Sequence, residues 1–233
     1  MPDLPPPLPA HERNVGQFIA ETIRAYGQHF WIALPLGLPL AIADQLSVRE
    51  AAGVQMLVFW GTLPLFVAAY LWACRILLDA QPTVVAAGVA VLIWLPFPAL
   101  RSIYVLPAIA WLAFIGLAVP AAMVDRLGFR DALVRGRELG TADYVHALAS
   151  LASLVLVVGI SSNVLSSLLH TQGDNDQRAA VFLSDLVLGP LLFLGGALLY
   201  VDQAARAVRS SDADLHPPVD ADAAGRPDAQ VES

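Results

Sequence analysis

The chain has 233 residues, 57% hydrophobic and 14% charged, with a mean hydropathy of +0.63. A soluble globular protein carries about 25% charged residues, so this chain has too little polar surface to wet a folded exterior, and a bilayer is its expected solvent. The formal charge of −7 marks no cationic partner, because residues 210–233 hold six acids against Arg226 and account for most of it.

All thirteen basic side chains are Arg, which together with abundant Ala points to a GC-rich bacterial genome. The single cysteine, Cys74, excludes an intramolecular disulfide and a thiolate metal cluster, and reads as membrane packing. Residues 1–14 are Pro-rich ("PPPLP") and are expected to be disordered. The first 28 residues lack the apolar core of a signal peptide, so the first spanning helix is expected to direct insertion.

In "VGQFIAETIRAYGQHF", Val15, Phe18, Ile19, Ile23, Tyr26 and Phe30 recur at three- and four-residue steps, with Glu21, Arg24 and Gln28 off that face. This pattern predicts an amphipathic helix lying in the membrane interface. Six segments then approach the roughly 20 apolar residues that a span needs: 30–48, 54–78, 84–100, 103–124, 144–169 and 181–201. The third is short, and residues 84–124 also admit one span plus a re-entrant piece. Arg placement favours six spans. Arg13, Arg24, Arg75, Arg126, Arg130, Arg135, Arg137, Arg206, Arg209 and Arg226 then share one side, against Arg49, Arg101 and Arg178 on the other. By the positive-inside rule both termini are expected in the cytoplasm.

Between the fourth and fifth spans, "GFRDALVRGREL" predicts a second interfacial helix, with Phe129, Leu133 and Val134 opposing Arg130, Asp131, Arg135, Arg137 and Glu138. Phe18 to Arg24 lines up with Phe129 to Arg135, as a weak internal repeat of parallel topology would require. Residues 210–233, rich in Asp, Ala and Pro, are expected to be disordered.

Several features carry chemistry or packing. Pro35, Pro39, Pro64, Pro96, Pro98, Pro107, Pro120 and Pro190 fall inside spans; they are consistent with kinked packing or with broken helices around a cavity. Gly159, Asn163 and Ser167 form a polar stripe on the fifth span, expected to turn toward protein. Ionisable groups at membrane depth are candidates by default, and here they are Asp44, Arg75 and Asp185. Headgroup water would serve both aspartates, while snorkelling and a pair with Asp79 would serve Arg75. In "LLYVDQAARAVRS", Asp202 and Arg206 are four apart and read as a helical pair anchoring the last span, with Arg209 beyond. His11, His29, His146, His170 and His216 make no metal-binding spacing, and no nucleophile can be matched with a base.

Taken together, "HFWIALPLGLPL", "VPAAMVDRLGFRDALVRGRELGTADYVHAL" and "GPLLFLGGALLYVDQAAR" resemble the membrane domain fused to some bacterial glycerophosphodiester phosphodiesterases, and related stand-alone six-span proteins, over residues 15–209. Tyr200, Asp202 and Arg206 fit the end of that pattern. In the fused proteins catalysis belongs to a separate barrel, for which this chain has no corresponding segment, so the resemblance implies a membrane module without hydrolase activity.

The expectation is an all-α, polytopic membrane helical bundle of six transmembrane helices and two amphipathic interfacial helices, in the bacterial inner membrane. No catalytic, cofactor or metal residues are assigned. Asn163, Asp185, Arg75 and Asp44 are the intramembrane polar positions to follow. The expected role is a non-catalytic module that organises or regulates a membrane-protein partner or contacts lipid, with no nucleic acid; the alternative is a small transporter or channel using proline-broken helices.

Overall fold

The computed structural model describes residues 9–169 and 174–215. The first eight residues, His170, and residues 216–233 of the acidic tail lie outside the described residues. Helices make up the described chain, with no strand among those residues. In order they are α1 (Val15–Gln28), α2 (Phe30–Ala33), α3 (Leu38–Ser47), α4 (Ala52–Leu78), α5 (Val84–Trp94), α6 (Phe97–Ile103), α7 (Val105–Ile115), α8 (Ala118–Val124), α9 (Phe129–Ala142), α10 (Tyr144–Leu169) and α11 (Asp174–Leu215).

These helices form six candidate membrane spans: Phe30–Ser47, Ala52–Leu78, Val84–Ile103, Val105–Val124, Tyr144–Leu165 and Arg178–Arg209. The protein is therefore an integral, multi-pass membrane protein. Contacts between span ends establish the number of crossings. At one end, Arg101 lies 3.5 Å from Asp44 and Gln45 donates to the Arg178 carbonyl, joining the ends of the first and third spans to the start of the sixth. At the other end, Arg13 meets Asp202 and Tyr200 meets Asp125, joining the N-terminal segment to the ends of the fourth and sixth spans. The short third segment begins near α9, where Gly88 approaches Phe129, and ends at Arg101, so it crosses the bundle rather than turning back.

Both amphipathic segments are helices of fourteen residues. Asn14 caps α1 through a reciprocal pair of bonds with Gln17, satisfying donors that the first turn leaves free. The buried face of α1 is rotated from the predicted one. Phe18, Thr22, Ala25 and Tyr26 face inward and Ile23 is exposed, because the Thr22 hydroxyl satisfies itself on the Phe18 carbonyl and so tolerates burial. In α9 the inward residues are Ala132, Gly136, Leu139 and Gly140, while Phe129 and Val134 face out. Small residues win there because bilayer helices gain by close backbone approach: a Cβ at Gly140 would overlap the Phe114 carbonyl. Large outward side chains such as Trp31, 81% exposed, are what a lipid-facing surface requires.

Two further differences from the sequence reading concern helix length and continuity. The last helix continues to Leu215, beyond the expected boundary at 209. The first span is interrupted by a 3-10 turn, Leu34–Gly37, containing Pro35; the third and fourth break between α5 and α6 and between α7 and α8. Pro64 and Pro190 instead sit inside continuous helices.

Candidate functional site

All six spans surround one cavity of about 450 Å³. Its walls run from Asp185 to Leu199 along α11 and from Leu151 to Asn163 along α10, a depth of about 20 Å at the helical rise of 1.5 Å per residue. Aromatic side chains furnish much of the lining. Phe66 stands 5.3 Å from Trp94 and 6.0 Å from Phe193 between ring centroids, and Trp94 stands 4.9 Å from Phe97. Such tilted pairs add about 0.5–1.5 kcal/mol each beyond their burial, which stabilises this wall.

Tyrosine and tryptophan donors also hold the broken backbone in place. Gly116 lies four residues before Pro120, whose nitrogen has no hydrogen to offer; the Tyr70 hydroxyl donates to the Gly116 carbonyl instead, at 3.1 Å. At the other break, Trp111 Nε1 donates to the Ile93 carbonyl at 2.9 Å and Trp60 Nε1 to that of Leu95 at 3.2 Å. The breaks therefore border the cavity without leaving those carbonyls unserved.

Polar groups concentrate at the end of the cavity bearing Asp44, Arg101, Ser162, Asn163 and Asp185. Asp185 is only 3% exposed, which corrects the reading that headgroup water would serve it. Ser162 Oγ lies 2.9 Å from Ser184 Oγ and 3.4 Å from Asp185 Oδ1, while Asp185 Oδ2 accepts no hydrogen bond. The Asp44 side chain is within hydrogen-bonding reach of Asp185. Arg101 pairs loosely with Asp44 at 3.5 Å, and its guanidinium carbon lies 4.1 Å from the Phe59 ring centroid. Close backbone contact sets this arrangement. A Cβ at Gly37 would collide with the carbonyls of Asp185 and Leu186, so only glycine lets α11 approach the first span this closely.

Three of the four sequence candidates, Asp44, Asn163 and Asp185, thus converge on one cavity mouth. The polar stripe of the fifth span turns toward protein only along its Ser162 edge, which meets Ser184 and Asp185 of α11. Asn163 and Ser167 are exposed, a Cβ at Gly159 would meet nothing within 4 Å, and Gly159, Ser162 and Asn163 line the cavity. Asn163 satisfies itself by donating to the Gly159 carbonyl at 2.7 Å. Arg75 is elsewhere: its guanidinium lies 5.7 Å from the Trp72 ring, and no Arg75–Asp79 pair occurs among the described residues. Asp79 ends α4 in a left-handed conformation instead. Arg101 and the aromatic wall escaped the sequence reading; the only signal for Arg101 was a basic residue on the side poor in them.

A second polar cluster closes the opposite end. Asp202 is fully buried and pairs with Arg13 at 2.9 Å, so it is not the i,i+4 partner of Arg206. Arg206 donates to Asp143 Oδ2 at 2.9 Å and to the Arg13 carbonyl at 2.7 Å. Gln203 receives the Asp143 amide and donates to its carbonyl. His146 Nε2 lies 3.4 Å from Ser150 Oγ and 4.0 Å from Asp202 Oδ2, residue types that suggest a triad. The geometry is wrong for one. Both neighbours meet the same ring nitrogen, Arg206 Nη2 approaches that nitrogen at 3.3 Å and can only donate, and Ser150 is fully buried. Among the described residues no three metal-ligating side chains gather.

Comparison with protein-family profiles, known proteins and solved structures finds no match to this chain.

Proposed function

We propose that this protein binds a lipid-like amphiphile inside the bilayer, its chain along the aromatic cavity and its head at the Asp44–Asp185 mouth. The observation that carries this reading is the gradient within one cavity: aliphatic and aromatic walls for about 20 Å, ending in charged and hydrogen-bonding groups at one mouth. Its volume is in the range of small-molecule sites, about 300–1,000 Å³. An ion-conducting path would need polar lining throughout, and the walls here are apolar below Ser162. A non-catalytic module in contact with lipid is the expected role, and the cavity gives that contact a location.

A second reading is a carrier that moves the amphiphile between leaflets. The helix breaks at Leu95–Pro96 and Gly116–Leu117 favour it, since both border the cavity. By Arg distribution the Arg13–Asp202 end is the cytoplasmic one in a bacterial inner membrane. Kinship with the membrane domain of bacterial glycerophosphodiester phosphodiesterases remains part of the same proposal.

Mass spectrometry of the full chain after gentle extraction tests the binding reading. One amphiphile retained per chain, and lost on replacing Gly159 with Trp at the mouth, is the expected result. A protein that retains none, in a folded state, contradicts it.

A further inference from the structure

Resting on that reading, we infer that the head of the bound amphiphile carries a protonated primary amine, seated on Asp185 and Asp44. Among the described residues lining the mouth, two carboxylates stand against the guanidinium of Arg101, so the mouth has a surplus of negative charge when both are ionised. Arg101 is turned to Asp44 and Phe59. Asp185 has no ion-pair partner among the described residues. Its Oδ1 takes a long contact from Ser162, the Asp44 side chain lies within hydrogen-bonding reach of its carboxyl, and its buried Oδ2 accepts nothing.

A group that is both cationic and a hydrogen-bond donor would serve the orphaned oxygen and replace the proton that the two neighbouring carboxyls otherwise share. A primary ammonium supplies one charge and three N–H groups, enough for Asp185 Oδ2 and the Asp44 carboxylate together. A neutral hydroxyl leaves the charge uncompensated. A quaternary ammonium has no N–H for the orphaned oxygen, and a site built to receive a hydrogen bond discriminates against a ligand lacking the donor. A bare metal ion would find two carboxylates, and no three ligating side chains gather here among the described residues. The apolar remainder of the cavity requires that the amine be attached to a hydrocarbon chain.

The test uses the full chain in nanodiscs, loaded with equal amounts of dodecylamine, dodecanol or dodecyltrimethylammonium at neutral pH and read by native mass spectrometry. The amine should bind about tenfold or more tightly than the alcohol, the factor expected of a hydrogen bond to a charged group. It should also exceed the quaternary ammonium. Asp185→Asn should bring the amine down to the level of the alcohol, and thermal unfolding of the variant reports whether the fold is intact. Asp44→Asn, at a more exposed position, should act in the same direction and carries the test if the first variant does not fold. Equal binding of amine and alcohol to the unaltered protein overturns the inference and leaves the amphiphile reading standing. Equal binding of the two cations overturns the donor requirement, and binding of none of the three sinks the amphiphile reading itself.

Discussion

Asp202 is held by Arg13, 189 positions away in the chain, at 2.9 Å, and not by Arg206 one helical turn along its own helix. Arg206 in turn reaches Asp143 and the Arg13 carbonyl. The N-terminal segment, the α9–α10 junction and the last helix are therefore tied together at one end of the bundle. That end is closed; the cavity mouth is at the other.

Breaking this tie should be costly, because removing one partner leaves the other charge poorly solvated. Asp202→Ala should destabilise the protein by about 3–5 kcal/mol, the usual range for a broken buried pair. Unfolding in mixed micelles measures it, and a cycle with Arg13→Ala should show strong coupling. Additive effects of the two substitutions would mean that the pair contributes nothing specific.

Tyr70→Phe should cost about 1 kcal/mol, since it leaves the Gly116 carbonyl unserved across from Pro120. Pro120→Ala restores an amide hydrogen at the position that would normally serve that carbonyl. The double variant should therefore lose less than Tyr70→Phe alone, and an undiminished loss would show that the tyrosine acts through packing instead.

The spans were legible because a lipid solvent demands long apolar runs, and a run such as 54–78 has no other physical explanation. Asp44, Asn163 and Asp185 were legible for the converse reason, being polar where polarity is expensive. Their meeting was not legible, because it depends on α11 lying against Gly37 and on the breaks at Pro96 and Pro120, none of which leaves a periodic trace. Local spacing also misassigned Asp202. Its four-residue step to Arg206 was visible, whereas Arg13 becomes its neighbour only after six crossings. The stripe at Gly159 and Asn163 was visible as a pattern, but whether small residues mark a packed interface or an open wall depends on what stands opposite.

Two glycines should respond in opposite ways to the same added carbon. Gly37→Ala forces α11 off the first span and should cost about 1–3 kcal/mol, as overpacking does. Gly159→Ala meets open space and should change stability by less than about 0.5 kcal/mol. Thermal unfolding of the two variants side by side checks this, and similar effects at both sites would contradict the packing described.

Tyr26, on the interfacial helix α1, has a buried hydroxyl without a hydrogen-bond partner, and burial raises its pKa above the ordinary value of 10.0. The folded protein therefore holds this proton more tightly than the unfolded chain. Its contribution to stability is complete below about pH 10 and declines as pH rises through that region. Tyr26→Phe should be near neutral at pH 7 and should reduce the alkaline loss. A pH-stability profile unchanged by the substitution would show that other groups govern it.

If a hydrocarbon chain occupies the interior of the bundle, as proposed, photolabelling from within the cavity should find it there. A long-chain amine with a diazirine at the end of its chain, added to the reconstituted protein, should label cavity residues such as Tyr70, Leu151 and Phe193, and excess unlabelled amphiphile should suppress that labelling. Labelling confined to outward residues such as Trp31, with no protection of the interior by competitor, would contradict the account.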